Sequence, residues 1–284
     1  VLLRLLLSGA FAFSSPGLAA GAAPSTPASD LPDPETAIWT KLKGSLFDNR
    51  PISMSAGAIE LVAPSRAEDG AVVPIAIRAK FFQRPERYIR RLYLIVDNNP
   101  SPIAATFDLT PESGRADIET RIRIEQYSYV RAVAELSDGT LAAQARFVKA
   151  SGGCSAPAGG DLAAAARVGR MRLTVDRDGA YNEPAAAQLI VSHPNHSGLA
   201  MNQITRLYTP AYFVRSVKVS YAGKPVFAAE VDFSISENPS FRFHFVPHAP
   251  GELKAEVVDT KELKFETALG VQRSASRAQA QPAP

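Results

Sequence analysis

The sequence predicts an all-β chain built as two β-sandwiches, and three observations carry that prediction. Apolar, β-branched runs of roughly four to eight residues recur along both halves, separated by turns rich in Pro, Asn, Asp and Gly. Two runs alternate strictly, Ile118-Glu-Thr-Arg-Ile-Arg-Ile124 and Phe241-Arg-Phe-His-Phe245, as half-buried strands require. Small residues, Ser151-Gly-Gly-Cys-Ser-Ala-Pro-Ala-Gly-Gly160, separate two strand-rich regions of similar size. About seven short strands with no helical periods between them predict an immunoglobulin-like sandwich for the first region. A smaller sandwich follows in the second. The expected architecture is thus two all-β sandwiches, the first immunoglobulin-like, joined by a Gly-rich, Cys-bearing linker. At 284 residues, each half is long enough to close its own core.

In chain order, Arg4 precedes an apolar run from Leu5 to Phe13, and small residues follow, with Ala20-Gly21-Ala22 as a cleavage site. Residues 1–22 therefore read as a secretory signal peptide and the protein as exported. An uncleaved membrane anchor is the alternative reading. Residues 23–34, rich in Pro, Ala and Ser, read as a disordered lead-in. Ile38, Trp39, Leu42, Leu46 and Phe47 fall at helical spacing and predict a short amphipathic helix on the first domain, with Trp39 as a core anchor.

The first domain, residues 35–150, then runs through strands at Ala58–Val62, Val72–Ala79, Tyr88–Val96, Ile103–Phe107 and Ile118–Ile124. Pro74 in the second of these suggests an edge strand, because proline cannot donate to a ladder. Tyr129–Ser137 and Leu141–Lys149 flank Asp138-Gly139, a hairpin turn. Residues 151–167 form the linker, in which Asp161–Arg167 suits one or two helical turns. The second domain, residues 168–270, holds strands at Val168–Val175, Ala187–His193, Tyr212–Tyr221, Val226–Phe233, Phe241–Phe245 and Glu252–Val258. Residues 271–284, rich in Ala, Gln and Pro, read as a disordered tail.

A formal charge of +3 without a Lys/Arg run excludes a nucleic-acid footprint. Cys154 is the one cysteine, so it cannot pair within the chain, although export would place it where cysteines normally pair. It reads either as a linker residue or as a thiol meant to bond something external. Catalysis by Cys154 would need an adjacent His and an orienting Asn or Asp on a rigid frame, and no His lies near it in sequence. His193 and His196, and His244 and His248, have helical spacings on text that is not helical, so they read as turn and surface histidines and not as metal ligands. No haem attachment site or phosphate-binding loop appears, and no cofactor is expected. Arg121 and Arg123 share the polar face of their predicted strand, near Tyr127 and Tyr129. They read as a solvated face or as a docking surface for an acidic partner.

Several segments resemble a known family. Ala63-Pro-Ser-Arg-Ala-Glu-Asp-Gly-Ala-Val-Val-Pro74, Asp97-Asn-Asn-Pro100, Thr120-Arg-Ile-Arg123, Val130-Arg-Ala-Val-Ala-Glu-Leu-Ser-Asp-Gly139 and Gly152-Gly-Cys154 are similar to SoxY, the sulfur-carrying subunit of bacterial thiosulfate oxidation. His193-Pro-Asn-His-Ser-Gly-Leu199, Ile235-Ser-Glu-Asn-Pro-Ser-Phe241 and Phe243-His-Phe245 are similar to its partner SoxZ. Together they span roughly residues 35–270, and the chain resembles fused SoxYZ-like carriers associated with quinoprotein dehydrogenases. The resemblance implies two immunoglobulin-like domains and a periplasmic carrier that is not an enzyme. It would hold a sulfur-derived intermediate covalently on Cys154, with Gly152, Gly153 and Ser155 as a mobile arm, and present it to sulfur-oxidation-type enzymes or a quinoprotein dehydrogenase system. The alternative is an accessory module of such a dehydrogenase or its electron acceptor, with the cysteine incidental. The chain departs from the family in one respect. A second domain follows Cys154, so the arm is anchored at both ends and reaches a partner as a loop.

Overall fold

The computed structural model describes residues 33–54, 57–156, 166–176, 179–202 and 205–273. The predicted signal peptide, nearly all of the lead-in, the helical turn at 161–165 and most of the C-terminal tail lie outside these residues.

The fold is mostly β, with two sheets and one short helix. Helix α1 (Ala37–Phe47) begins where the Thr36 side chain accepts a hydrogen bond from the Trp39 amide, and it ends at Asp48 in the left-handed region. Strands β1 (Ile52–Ser53), β2 (Ile59–Val62), β3 (Val73–Ala79), β4 (Ile89–Val96), β5 (Ile103–Leu109), β6 (Ile118–Ile122), β7 (Ser128–Leu136) and β8 (Leu141–Val148) precede the Gly-rich stretch. Strands β9 (Met171–Val175), β10 (Ala185–Val191), β11 (Val214–Tyr221), β12 (Lys224–Val231), β13 (Ser240–Phe245), β14 (Gly251–Asp259) and β15 (Lys264–Val271) follow it.

Both sheets run across the two halves of the chain. The nine-stranded sheet has the order β1-β8-β7-β4-β5-β12-β11-β14-β15, and the six-stranded sheet has the order β2-β3-β6-β13-β10-β9. The halves meet where β5 pairs antiparallel with β12, Leu109 opposite Phe227 through Ala105 opposite Val231, and where β6 meets β13 at Glu119 and Arg242. The sequence predicts a separate core for each half. The structure shows one apolar cluster running through both. The aromatic rings show why: Phe107 of the first half lies edge-on to Phe227 (6.4 Å) and Phe241 (6.2 Å) of the second. Phe241, Phe243 and Phe245 all point inward, as their alternation predicts.

Strand β7 is buried at every position. Its Val130, Ala132 and Ala134 face the inter-sheet core, while Val133 joins Trp39, Phe47, Tyr93, Ile95 and Leu141 beneath α1. Trp39 is the anchor that the sequence predicts. Pro74 departs from expectation, since β3 lies between β2 and β6 and is not an edge. It is tolerated because β2 ends opposite Ala76, so Pro74 lies past its last pair.

A shared core has a measurable consequence. Phe107→Ala, which empties a fully buried aromatic site, lowers stability by about 3–5 kcal/mol. Because the core is continuous, urea unfolding followed by amide hydrogen exchange in β4 of the first half and in β11 of the second should shift as one coincident transition. Two separated transitions would oppose a common core.

Candidate functional site around Cys154

The Gly-rich stretch enters the site as a threaded segment. Lys149 bonds the 65–67 loop through both backbone groups, its amide donating to Ser65 O and its carbonyl accepting from the Ala67 amide. The Gly152 and Gly153 amides then donate to the carbonyls of Glu125 and Ile124. On the other side the Ile124 amide donates to Gly70 O, so the segment lies between residues 65–70 and 123–125. Gly153 fits only because it lacks a side chain: a Cβ there would sit 2.0 Å from Gly70 O and 2.8 Å from Ile124 N. Gly152 has φ +74 and open space around it, so its glycine is required by conformation and not by packing.

This arrangement differs from the exposed, mobile arm that the sequence predicts. Cys154 has no exposed surface. Glu125 holds its turn, because one carboxylate oxygen accepts from the Cys154 amide (2.8 Å) and the Ser155 amide (3.0 Å), and the other from Ser155 Oγ (2.9 Å). The second half of the chain closes the site, with Ser197 Oγ donating to Cys154 O. Burial, with the Glu125 charge adding to it and Arg123 opposing it, pushes the thiol up to about 12. In this pose the sulfur is a neutral thiol at physiological pH and a poor nucleophile.

Arg121 and Arg123 do not share a face. The pairing of β6 with β3 ends at Ile122, and the chain turns to a new partner, the Arg123 amide donating to Ser234 O. This change breaks the alternation and sends Arg123 inward, to 3% exposure. Its guanidinium donates Nη1 to Gly153 O (3.0 Å) and Nη2 to Asn195 O (3.3 Å), and Nε has no partner. Burial lowers its pKa, and the nearby Cys154, Glu237 and Asp69 work against that shift. Arg121 stays half-buried and donates to Asn238 O. Arg123 thus supports the cysteine loop from beneath and is not an exposed docking residue.

Sequence reasoning missed Glu125, Asn99, Asn195 and Ser197. Asn99 shapes the strand end: its Nδ2 donates to Arg123 O and Ser234 Oγ, and its Oδ1 accepts from the Glu125 amide. The Asp97-Asn-Asn and His193-Pro-Asn segments were visible as motifs, but their convergence on one cysteine was not. His193, read as a turn or surface histidine, lies in the irregular chain after β10 and is buried. Its Nδ1 accepts from the Asn195 amide, its Nε2 lies 3.6 Å from Asp259, and burial lowers its pKa. His244 is likewise half-buried, with its pKa lowered by burial.

The fold and site define a two-sheet β protein that holds a single thiol on a Gly-Gly-Cys loop where its two halves meet. Residues 43–154 match the family model of the sulfur oxidation protein SoxY, ending on Cys154, and residues 173–269 match that of the sulphur oxidation protein SoxZ. The chain belongs to these families, with a SoxY and a SoxZ domain in one polypeptide. Both are families of carrier proteins and not of enzymes. Membership of the Sox system implies Sox enzymes as partners. Sox proteins are typically periplasmic, and among the described residues no helix is long and apolar enough to cross a membrane.

Similar solved structures include the sulfur carrier protein SoxY from Chlorobium limicola f thiosulfatophilum (25% identity, 38% of this chain and 88% of that one, TM-score 0.31). Others are the E23A superoxide reductase (neelaredoxin) from Ignicoccus hospitalis (11%, 34% and 81%, 0.31) and fibronectin(III)-like modules of Clostridium thermocellum CbhA (11%, 80% and 99%, 0.23). No curated protein sequence matches the chain.

Proposed function

We propose that this protein is a periplasmic sulfur carrier that holds a sulfur-derived intermediate covalently on Cys154 and presents it to Sox-type enzymes. The observation that carries this reading is the position of the thiol. The SoxY match ends on Cys154, and residues of both matched segments converge there: Arg123 and Glu125 from one, Asn195 and Ser197 from the other. In this reading residues 35–150 and 168–270 are two immunoglobulin-like sandwiches fused edge to edge, residues 1–22 are removed on export, and Gly152, Gly153 and Ser155 form the arm. The buried pose is its closed state. Loading and delivery then require residues 152–156 to leave the site, since neither an attacking reagent nor a partner reaches a sulfur with no exposed surface.

The test is intact-mass spectrometry of protein purified from its native host, together with the phenotype of Cys154→Ala. A sulfur-containing adduct on Cys154, lost together with host sulfur oxidation in Cys154→Ala, supports the carrier. Glutathione or no adduct, with an unchanged Cys154→Ala phenotype, overturns it. Retained binding of the Cys154→Ala protein to a quinoprotein dehydrogenase, with that activity intact, would establish the accessory role instead.

A further inference from the structure

Glu125, Arg123 and Ser197 all hold the cysteine loop, and of these Glu125 is the acidic one. Its two oxygens take the Cys154 amide, the Ser155 amide and the Ser155 hydroxyl, so its charge lies against the turn that carries the sulfur. Around that turn the ionisable groups are unevenly matched. Arg123 lies beneath with two nitrogens committed to carbonyls. Glu125 and Asp232 both disfavour a negative charge at Cys154, and burial disfavours it more than either. Glu237 and Asp69 complete the charged surroundings through Arg123, while burial and Arg123 push the nearby His196 towards its neutral form. The closed pose is thus built around an uncharged sulfur.

We propose that Glu125 is a charge-sensitive clamp. It holds the loop closed over an uncharged Cys154 and releases it when the sulfur carries an anionic group, so that the empty carrier is closed and the carrier loaded with an oxyanion of sulfur is open. This proposal rests on the carrier reading above and gives Glu125 the part of a positioning residue. Two physical effects work in the same direction. An anion bonded to Sγ lies close to the Glu125 carboxylate, which takes the Cys154 amide at 2.8 Å, and the enclosure of the sulfur itself strengthens the repulsion of like charges there. Any adduct also adds atoms to a side chain that is already fully enclosed. The second effect is independent of charge, so the experiment has to separate the two.

Full-length protein is labelled on Cys154 with methanethiosulfonate reagents of similar size that leave a neutral hydroxyethyl or an anionic sulfonatoethyl group. In each case the thiolate attacks the reagent's divalent sulfur, a disulfide forms and methanesulfinate leaves. Amide hydrogen exchange at Cys154 and Ser155 reports loop opening, and exchange in β7 confirms that the fold is intact. In the wild type the anionic adduct should exchange at least about tenfold faster than the neutral one. In Glu125→Gln, close in shape but uncharged, the two adducts should agree within about twofold.

Equal exchange for the two adducts in the wild type would show that size alone opens the loop. An undiminished ratio in Glu125→Gln would assign the discrimination to another group. Either result overturns the clamp and leaves the carrier reading standing. The mass of the host-purified protein tests the carrier reading separately, whatever the exchange rates show.

Discussion

Gly153→Ala raises the rate at which a small neutral alkylating reagent labels Cys154 by about a hundredfold, while Gly152→Ala raises it by only about tenfold. On a freely moving arm the two substitutions would be interchangeable, and neither would matter much. In the closed pose they fail for different reasons. A Cβ at Gly153 runs into the backbone of Gly70 and Ile124, at 2.0 and 2.8 Å, and neither segment can move away without breaking the hydrogen bonds that seat it. A Cβ at Gly152 meets nothing within 4 Å and suffers only the cost of φ +74. Gly70→Ala should behave like Gly153→Ala, since its own Cβ would lie 2.4 Å from Ser151 O. Equal rates in Gly152→Ala and Gly153→Ala would show that the closed loop is not the resting state.

The pH dependence of the same labelling separates closed from open reactivity. The folded thiol is pushed up to about 12 from an ordinary 9.0. A group whose pKa is raised on closing favours the closed pose fully below its open-state pKa, and that preference is lost as pH rises towards its closed-state value. Closure is therefore constant below pH 9 and weakens between about 9 and 12. Below pH 9 reaction proceeds through transient opening, so the rate rises tenfold per pH unit. It continues to climb above 9 in the wild type, whereas Gly153→Ala levels off near 9. A wild-type profile that levels off near 9 would mean that the thiol is already open.

Much of the fold is legible in the sequence, because alternation and turn residues are local signals. Strands β2 to β8 and helix α1 fall where apolar spacing and Asp138-Gly139 place them. Strand β15 was missed because its outward positions, Lys264, Glu266, Ala268 and Gly270, include small residues, and its inward set includes Thr267. Strand β1, two residues long and parallel to β8, carries no periodic signal at all. The site was legible only in part. A single Cys after two glycines is conspicuous, but its burial depends on Glu125, which lies 29 positions away, and on Ser197, which lies 43 away. Alternation alone places Arg123 outside, and it fails past Ile122, where the strand changes partner. The joining of the two halves was hidden for the same reason. Edge pairing of β5 with β12 uses backbone groups that every strand possesses.

Arg131→Ala and Asp97→Ala should each cost about 3–5 kcal/mol, because each leaves a buried charge without its partner. Both side chains are 1% exposed. Arg131 grips the Asp97 carboxylate with Nε (2.8 Å) and Nη2 (2.6 Å), and its guanidinium lies over the rings of Trp39 (4.6 Å) and Tyr129 (5.1 Å). Asp97 also accepts from Thr36 Oγ1, the hydroxyl that caps α1, and Arg131 donates to Pro34 O. The pair thus ties the end of β4 and the centre of β7 to the start of the helix. Its loss should free α1 before the sheets open, so Trp39 emission should shift red at lower urea than the circular dichroism transition. The double variant Arg131→Ala with Asp97→Ala leaves neither charge stranded and should cost less than the sum of the single losses. Additive losses would show that the two charges act independently and that the helix is held by Trp39 and Phe47 alone.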